Sequence, residues 1–499
     1  MKSTELKAMG IPRGAATKLA YQAIEAAVQS GTPRDAVADL LRAVADNPSD
    51  FTRDPVFGDL ALQLLQEPSR VTRAATSSAL RSAPERGSSP ERLGPPGDRP
   101  APRAAPRPPR QHPVPYRQWG EDLDPASLEQ MTNACMLPVA TRGALMPDAH
   151  VGYGLPIGGV LATSDAVIPY AVGMDIACRM KLTVLDLPTA QLEEQQDRLR
   201  GALEHETRFG VGATFARRRQ HEVMDEDWSV TPVTGQLKDK AHSQLGTSGS
   251  GNHFAEFGLL TVEQRSELEL EPGEYLTLLS HSGSRGTGAE VATFYSKLAM
   301  QQHPELPAAM QHLAWLDLDS QAGREYWLAM ELMGRYAAAS HQLIHRHVAR
   351  ALGAQVLLDV ENHHNFAWKE VHDGRDVVVH RKGATPAGQG MLGVIPGSMA
   401  SPAYIVRGLG HPDSLNSASH GAGRRMSRKQ AKKTFHWEDL NRRLVQQRVT
   451  LISAGLDEVP MAYKEIDEVM AAQTDLVQPL ARFMPRLVKM APAGERPED

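Results

Sequence analysis

Asp175 and Cys178 are the first pair of residues whose types and spacing suggest chemistry. A carboxylate and a thiol three positions apart face one point if the segment 173–178, GMDIAC, forms a helical turn or a tight loop. Taken alone, the pair is more typical of a buried structural cysteine, because a free cysteine usually behaves as a small hydrophobe. The pair therefore needs further ligands nearby before it indicates a metal site.

Histidines in turn-like segments supply such ligands. His253 lies in GSGNHF (249–254), His281 in SHSGSRG (280–286), and His363 and His364 precede Asn365. One carboxylate, one thiolate and several imidazoles suit Mn²⁺, Zn²⁺, Co²⁺ or Fe²⁺, and a thiolate can bridge two ions. The spacing of these residues along the chain matches no zinc-finger pattern, so the sequence alone does not show whether their side chains meet.

A second group of residues is rich in glycine and small polar side chains. It comprises PGSM (396–399) and SASHGAGR (417–424), which contains His420 and Arg424. Glycines let backbone N–H groups approach phosphate oxygens, and an arginine adds a charged donor. A neutral imidazole at position 420 is a suitable nucleophile toward phosphorus. The alternative is an ordinary turn containing a hydrogen-bonded histidine.

Basic residues accompany these segments, namely Arg285, Arg381-Lys382, Arg424-Arg425 and Arg428-Lys429. Contacts to phosphates supply affinity for RNA without reading its sequence. Runs of charged residues more often lie on solvent-exposed surfaces that bind nothing. Only the position of these basic residues beside the candidate site favours a contact with RNA.

Strands must position the histidines. The apolar runs 275–279, 356–360 and 377–379 each predict a strand that leads into a polar loop carrying histidine, which is how a rigid scaffold presents reactive groups. The periodicity of Leu328, Leu332 and Tyr336 predicts a long helix over 321–352 that packs on the sheets and ends at Gly353.

The chain is predicted to contain three regions. Residues 1–75 are predicted to form a helical module, with Thr32 as an N-cap and Pro33 at the first helical position of its second helix. Residues 76–118 are rich in proline and arginine and predict a disordered linker. Residues 119–499 are predicted to form the catalytic domain.

Composition excludes several classes of protein. The 499 residues carry a net charge of −5, so a polyanionic partner must be held by a local patch. Two cysteines are too few for a disulfide framework. No apolar run reaches the roughly 18 residues needed to span a bilayer, so the expectation is a cytoplasmic protein without a membrane partner.

From about Trp119 to Lys489 the sequence resembles the RtcB family of RNA-splicing ligases. The resemblance rests on several strings that occur in one order: MPDAHVGYG (146–154), GMDIAC (173–178), GSGNHF (249–254), HSGSRG (281–286), RKGA (381–384), PGSM (396–399) and SHGAGR (419–424).

The resemblance implies an α+β fold, with β-sheets flanked by helices around a deep metal and nucleotide cleft. It also implies two Mn²⁺ ions bridged by Cys178, with Asp175 and His253 on one ion and His281 and His364 on the other. His364 is preferred to His363 because the family's ligand directly precedes an asparagine, here Asn365. His420 would be the residue that becomes guanylylated.

The resemblance further implies a GTP site in which Glu256 and Lys489 hold the guanine. The GTP-binding residues implied are Asn252, His253, Phe254, Ala255, Glu256, His364, Asn365, Pro396, Gly397, Ser398, Met399, His420, Gly421, Ala422, Gly423, Tyr463 and Lys489. Arg285, Arg381 and Lys382 would bind RNA phosphate. Ala400 and Ala403 depart from the family's usual glycine and serine, which would remove one hydrogen bond to the nucleotide at a cost of roughly 0.5–1.5 kcal/mol.

The implied activity is GTP-dependent joining of an RNA 3′-phosphate or 2′,3′-cyclic phosphate end to a 5′-hydroxyl end, through GMP-histidine and an activated RNA-pp-G end. An accessory activating protein is a further possible partner, and the sequence leaves the oligomeric state and the physiological RNA open. Two alternatives stay open. One is a two-metal phosphodiesterase or phosphatase that needs no GTP, and the other is a catalytically silent protein that binds RNA ends.

Overall fold

The structure is a computed structural model. It describes residues 107–495 without gaps and, before them, residues 6, 9, 11, 15–29, 34–46, 51, 54 and 56–66. The chain divides into two compact units, residues 1–99 and residues 100–499. Among the described residues, no helix combines the length and the apolar character needed to cross a membrane.

The described residues of the first unit form helices α1 (Ala15–Gln29), α2 (Arg34–Asp46) and α3 (Gly58–Gln66). Ala20, Leu41 and Leu60 are among the side chains that are buried together between them. The predicted N-cap Thr32 and the predicted first helical residue Pro33 lie outside the described residues.

The second unit mixes helices and strands, which confirms the α+β class. Its helices are α4 (Pro125–Cys135), α5 (Pro169–Val172), α6 (Gln191–Glu194), α7 (Gln196–Glu206), α8 (Pro232–Gln244), α9 (Arg285–Gln302), α10 (Gln321–Ala351), α11 (Arg428–Thr434), α12 (Trp437–Gln446) and α13 (Ile466–Ala471). Its strands are β1 (Tyr116–Gln118), β2 (Ala140–His150), β3 (Ile157–Thr163), β4 (Ala166–Val167), β5 (Arg179–Leu185), β6 (Phe254–Val262), β7 (Gly273–Ser282), β8 (Leu316–Asp317), β9 (Val356–His363), β10 (Phe366–His372), β11 (Arg375–Lys382), β12 (Ala384–Pro386), β13 (Leu392–Pro396), β14 (Ala403–Gly408), β15 (Ser417–Ser419), β16 (Thr450–Ser453) and β17 (Val477–Met490).

Two large sheets organise this unit. One has the order β1-β2-β3-β11-β10, and the other has the order β13-β14-β17-β6-β7-β5-β9, with β16 added beside β17. In the second sheet, apolar side chains such as Leu182, Leu279 and Val360 are buried on one face. Leu203, Phe257 and Leu278 are buried in a separate cluster that includes α7.

Asn362 of β9 connects the two ends of the second sheet. Its Oδ1 accepts a hydrogen bond from the Val394 N–H of β13 at 2.8 Å, and its Nδ2 donates to the Val394 carbonyl at 3.3 Å. The same Nδ2 donates to Thr385 Oγ1 at 2.9 Å. The sheet is therefore nearly closed on itself.

The long helix α10 confirms the sequence prediction closely. The Ser320 hydroxyl accepts a hydrogen bond from the Gly323 N–H at its start, and Gly353, at φ +59°, follows its end. A glycine adopts this left-handed conformation without the Cβ clash that other residues meet. Leu332, Tyr336 and Leu343 lie on its buried face, whereas Leu328, which the periodicity also assigned to that face, is 48% exposed.

The last part of the predicted linker, residues 107–118, is ordered on the second unit. Arg107 pairs with Asp317, at 2.7 Å to its Oδ2, and its guanidinium lies 5.0 Å from the centre of the Trp315 ring. Tyr116–Gln118 form β1, which pairs in parallel with β2. Composition alone suggested a spacer here, but specific arginine contacts and strand pairing hold this segment in place.

Candidate metal centre and nucleotide site

The predicted metal ligands meet at one rim of the second sheet. The β-sheet register pairs Arg179, which follows Cys178, with Ser282 of β7 and with His363 of β9. Phe254, which follows His253, pairs with His281. The three polar segments that we expected to be loops are partly continuations of strands β7, β9 and β11, and this fixes their side chains more firmly than a loop would.

The ligand atoms form a continuous row with the Cys178 sulfur in the middle. Cys178 Sγ lies 3.4 Å from His253 Nε2 and 3.0 Å from His281 Nε2. Beyond them, Asp175 Oδ2 lies 3.0 Å from His253 Nε2, and His364 Nε2 lies 3.3 Å from His281 Nε2. Bond lengths of about 2.0–2.3 Å at near-tetrahedral angles place the ligand atoms of one ion about 3.3–3.7 Å apart. Two of the four separations lie in this range, and the other two, at 3.0 Å, are slightly shorter.

The two histidines at the His364 end of the row are in the protonation state that a metal requires. Burial lowers the pKa of His281 to about 3, and burial also lowers the pKa of His364 well below its usual value. The Asn252 carbonyl accepts a hydrogen bond from His281 Nδ1 at 3.1 Å, so the lone pair of Nε2 is free to face the sulfur. Both rings are neutral at physiological pH, as metal binding demands.

Asp175 supplies a buried carboxylate at the other end of the row. Burial alone would raise the pKa of Asp175, but the hydrogen bond and charge of His253 outweigh it and lower the pKa to about 2. Its Oδ1 accepts the Ser284 N–H at 2.9 Å, while its Oδ2 lies 3.0 Å from His253 Nε2, the nitrogen that faces the Cys178 sulfur. A buried carboxylate oxygen beside a second potential ligand atom fits a cation site.

His363 lies apart from this row. Its ring contacts those of Phe366 and Trp368, at centroid distances of 5.2 Å and 5.1 Å. The geometry therefore favours His364 over His363 as the ligand. Cys178, His253, His281, His364 and Asp175 together form a donor set that suits a borderline divalent ion.

Strained backbone accompanies these ligands. Ala177, Arg285 and Asn365 have φ of +56°, +60° and +56°, although none is a glycine. The Ala177 N–H donates to the Asn365 carbonyl at 2.9 Å, which ties the Cys178 segment to the His364 segment. Such strain persists where the surrounding structure enforces it, and it is frequent at functional sites.

Gly249 allows Arg285 to approach His253. A Cβ atom at position 249 would lie 2.1 Å from Arg285 Nη1 and 2.2 Å from His253 Nδ1, and φ there is +97°. We expect Gly249→Ala to lower the free energy of unfolding by about 2–4 kcal/mol through overpacking and backbone strain, measured by denaturant titration. Gly212→Ala is the matched control, because φ is +74° there but the added Cβ meets no atom within 4 Å. Equal losses in the two variants would contradict the steric argument.

His420 lies beside the metal centre and is oriented by Asp148. Asp148 Oδ2 lies 2.7 Å from His420 Nδ1 and accepts the backbone N–H groups of His420 and Gly421 at 3.2 and 3.3 Å. The carboxylate therefore fixes the proton on Nδ1 and leaves the lone pair of Nε2 unprotonated. The His420 ring centre is 4.9 Å from that of His364.

Comparison with known proteins decides the family. The model of the family described as tRNA-splicing ligase RtcB matches residues 130–490. The chain belongs to the RtcB family. It is 34% identical over 400 residues to the RNA-splicing ligase RtcB of Escherichia coli K12, covering 73% of this chain and 94% of the relative. It is 30% identical over 454 residues to the tRNA-splicing ligase RtcB of Nanoarchaeum equitans, covering 74% and 94%. The RNA-splicing ligase RtcB of Mycobacterium bovis is 31% identical over 430 residues, covering 71% and 98%.

In this RtcB-family chain the two predicted nucleotide segments lie side by side. Gly421 is adjacent to Pro396, since an added Cβ would lie 3.1 Å from the Pro396 carbonyl oxygen. The Ser398 hydroxyl lies 2.8 Å from that of Ser401. Ala400 and Ala403 are buried among apolar side chains, so their methyl groups contribute to packing at this position.

The expected guanine-holding pair, Glu256 and Lys489, is not brought together. Residues paired across antiparallel strands share a face, and Glu256 pairs with Val488 whereas Lys489 pairs with Ala255. Lys489 therefore lies on the opposite face from Glu256, where its ammonium donates to the Leu203 carbonyl at 3.1 Å. Burial raises the pKa of Glu256 well above its usual value, which favours the neutral form of this side chain.

Two further predicted contact residues are engaged elsewhere. The Arg381 guanidinium is 1% exposed and binds Glu370 through both nitrogens, at 2.6 and 3.1 Å. It also donates to Ser417 Oγ at 2.7 Å, so it supports the strand before His420 and is not turned toward RNA. The Tyr463 hydroxyl donates to Glu458 and accepts from Arg424 Nη1 at 3.1 Å.

Arg285 and Lys382 lie closer to the reactive groups. Arg285 Nη1 is 3.4 Å from His253 Nδ1, and Lys382 directly precedes Gly383, where an added Cβ would lie 3.2 Å from His420 Cε1. The Lys382 ammonium donates to the Tyr153 carbonyl, and burial lowers the pKa of Lys382 to about 7.

Sequence reasoning missed Asp148 as a functional residue. It is fully buried, and its Oδ1 has no hydrogen-bond partner among the described residues. The Lys464 ammonium donates to the carbonyls on either side of it, those of Pro147 and Ala149, at 2.8 and 3.0 Å. The only sequence signal was an acid within the string MPDAHVGYG (146–154).

Proposed function

We propose that this chain is a GTP- and Mn²⁺-dependent RNA ligase that joins a 3′-phosphate or 2′,3′-cyclic phosphate end to a 5′-hydroxyl end. The observation that carries the proposal is the position of His420. Its Nδ1 is held by Asp148 at 2.7 Å, and its ring lies 4.9 Å from that of the metal-centre residue His364. A phosphorus nucleophile thus stands beside a site for divalent cations.

His420 performs the first chemical step. Its Nε2 attacks the α-phosphorus of GTP, so a P–N bond forms, the bond from the α-phosphorus to the bridging oxygen breaks, and pyrophosphate leaves. As the imidazole gains positive charge, the Asp148 carboxylate stabilises it through the Nδ1 proton. This is the arrangement in which an acid orients a histidine and favours its charged form.

Asp175, Cys178 and His253 would hold one Mn²⁺ ion, and Cys178, His281 and His364 the other. The central position of the sulfur in the row supports this division. When bound, Mn²⁺ neutralises phosphate charge and orients the phosphorus for attack. Asn252 contributes indirectly, because its carbonyl fixes the proton of His281.

The GMP is bound by the glycine-rich segments that surround His420. Backbone N–H groups of residues 396–399 and 421–423 can approach its phosphate closely, because these segments contain glycines. Phe254, Glu256 and Asn365 complete the proposed GTP site, whereas Ala255 lies on the same face as Lys489 and the Tyr463 hydroxyl is held by Glu458 and Arg424. In its protonated form, which burial favours, Glu256 can both donate and accept a hydrogen bond. Since Lys489 lies on the opposite face of the sheet, it has no part in holding the guanine together with Glu256.

The RNA ends react in the remaining steps. The 3′-phosphate takes GMP from His420 to give RNA-pp-G, and the 5′-hydroxyl then attacks the 3′-phosphate while GMP leaves. A 2′,3′-cyclic phosphate is first hydrolysed to a 3′-phosphate. Arg285, beside His253, and Lys382, which precedes Gly383, bind RNA phosphate. Arg381 is left out of this role because Glu370 and Ser417 hold its guanidinium.

The decisive experiment is ligation of two RNA oligonucleotides, one with a 3′-phosphate and one with a 5′-hydroxyl, with Mn²⁺ and with or without GTP. We expect joined product only when GTP is present, because a phosphate monoester has no good leaving group until it is activated. Joining that is equally efficient without any guanine nucleotide would refute the proposed route. Removal of phosphate without joining would favour the two-metal hydrolase, and binding without turnover would favour the silent binder.

A further inference from the structure

The loop that joins β2 to β3, residues 151–156, exposes an aromatic side chain to solvent. His150 and Ile157 pair at the ends of the two strands, so these six residues form the tip of a hairpin. Tyr153 in this tip is 69% exposed, compared with 47% for Phe294 and 40% for Trp437. An aromatic ring this exposed loses the stabilisation that burial would give it.

The exposure does not come from a loosely held loop. The side-chain amide of Gln130 donates to the Gly152 carbonyl at 2.6 Å and accepts the Gly152 N–H at 3.0 Å. The Lys382 ammonium donates to the Tyr153 carbonyl. Gly154, at φ +73°, packs so closely on the His312 backbone that a Cβ would lie 2.8 Å from its carbonyl oxygen. The backbone on both sides of Tyr153 is therefore fixed.

Other rings support the tyrosine from one side. The Tyr153 and His312 ring centres are 5.9 Å apart, with planes inclined at 48°. Behind them, Tyr170 meets His312 edge to face at 4.5 Å. These contacts hold the tyrosine ring in place while most of its surface faces solvent.

The loop also flanks the proposed nucleophile. β2 carries Asp148, which binds His420, and β3 begins at Ile157. An added Cβ at Gly383 would lie 2.2 Å from Ile157 Cγ2 and 3.2 Å from His420 Cε1, so Gly383 lies between the hairpin and the imidazole. Lys382, which precedes Gly383 in the chain, donates a hydrogen bond from its ammonium to the Tyr153 carbonyl. The hairpin that carries the exposed ring thus lies next to the proposed reaction site.

We propose that Tyr153 is a stacking platform for the base of the RNA 3′-terminal nucleotide. This rests on the proposed function, in which the 3′-phosphate must reach His420 Nε2 to receive GMP. The base of that nucleotide then lies one nucleotide's reach from the imidazole, and the hairpin adjoins this region through Gly383 and Lys382. A fixed and exposed aromatic ring next to this site suits an occupant with one flat base and one phosphate, and stacking on aromatic rings is tolerant of base identity.

The test measures binding of short single-stranded RNA with a 3′-phosphate by fluorescence anisotropy, using the full chain with Mn²⁺. Two probes differ only in whether the 3′-terminal nucleotide carries a base or is abasic. Tyr153→Ala should weaken binding of the probe with the base by about tenfold and leave binding of the abasic probe unchanged. Tyr153→Phe should bind both probes like the unsubstituted chain, and Phe294→Ala is the control for loss of an exposed aromatic ring.

Covalent labelling by GTP separates this proposal from the one on which it rests. Tyr153→Ala should accept the GMP label as fast as the unsubstituted chain, because the ring does not touch the reacting nitrogen. The platform would be refuted if Tyr153→Ala weakened the binding of both RNA probes equally or weakened the binding of neither. Loss of GMP labelling in Tyr153→Ala would refute it as well. Failure of the unsubstituted chain to take up label would instead refute the guanylylation of His420, while the difference between the two probes would still report on the platform.

Discussion

Replacing His420 with alanine should abolish covalent labelling of the protein by α-labelled GTP in the presence of Mn²⁺. The Nε2 atom of His420 is the nitrogen that the Asp148 carboxylate leaves free for attack. Removing a nucleophile that acts with its partners as one unit costs at least about 10⁴-fold in rate. The measurement is the label retained on denatured protein, which an acid-labile P–N bond should release at low pH. Metal content should stay unchanged, since His420 is not among the proposed ligands.

Two companion variants sharpen this prediction. Asp148→Asn keeps the size of the side chain but removes the charge that fixes the Nδ1 proton, so labelling should slow by about 10²–10⁴-fold. His205→Ala removes an exposed histidine on α7 and should label normally. Label that persists undiminished in His420→Ala would place the covalent link on another residue.

Replacing Cys178 with alanine should empty the metal centre. The sulfur lies between His253 Nε2 and His281 Nε2, at 3.4 and 3.0 Å, and is the one atom that adjoins both halves of the ligand row. Loss of this shared ligand should weaken Mn²⁺ binding by at least about 100-fold, more than the 10–100-fold typical of supporting residues. The measurement is the metal content after equilibration with Mn²⁺ and gel filtration.

Cys135→Ala is the matched control, because Cys135 is the chain's other cysteine. It is fully buried beneath β2, and burial raises the pKa of Cys135 to about 12, so it is a neutral thiol. Its loss should cost about 1–2 kcal/mol of stability through the cavity it leaves, with metal content retained. Equal metal binding by Cys178→Ala and Cys135→Ala would refute the bridging role of Cys178.

The proposed ligands could be named from the sequence because each side chain belongs to a recognisable string of residues. The structure places Cys178, His253, His281 and His364 in one row, and His363 lies outside that row. The long helix α10 was predictable from periodicity and a terminal glycine. In these cases local sequence and tertiary structure favour the same outcome.

The errors share a cause, which is that sheet register is not visible in one sequence. The side of a strand on which Lys489 lies depends on its pairing with Ala255, and a shift of one residue would reverse it. Arg381 looked like an RNA contact, but its strand turns it inward to Glu370. Asp148 was missed because 272 positions separate it from His420 in the chain.

The amide of Asn362 has a mechanical consequence for the reaction site. Its hydrogen bonds join β9 to β13, the two outermost strands of the second sheet. His364 directly follows β9, and Pro396 is the last residue of β13. A shift of β9 that moved His364 would therefore strain the hydrogen bonds between Asn362 and Val394. If the cation and the nucleotide bind at these two segments as proposed, we expect occupancy of one site to change the affinity of the other, by the same factor in both directions.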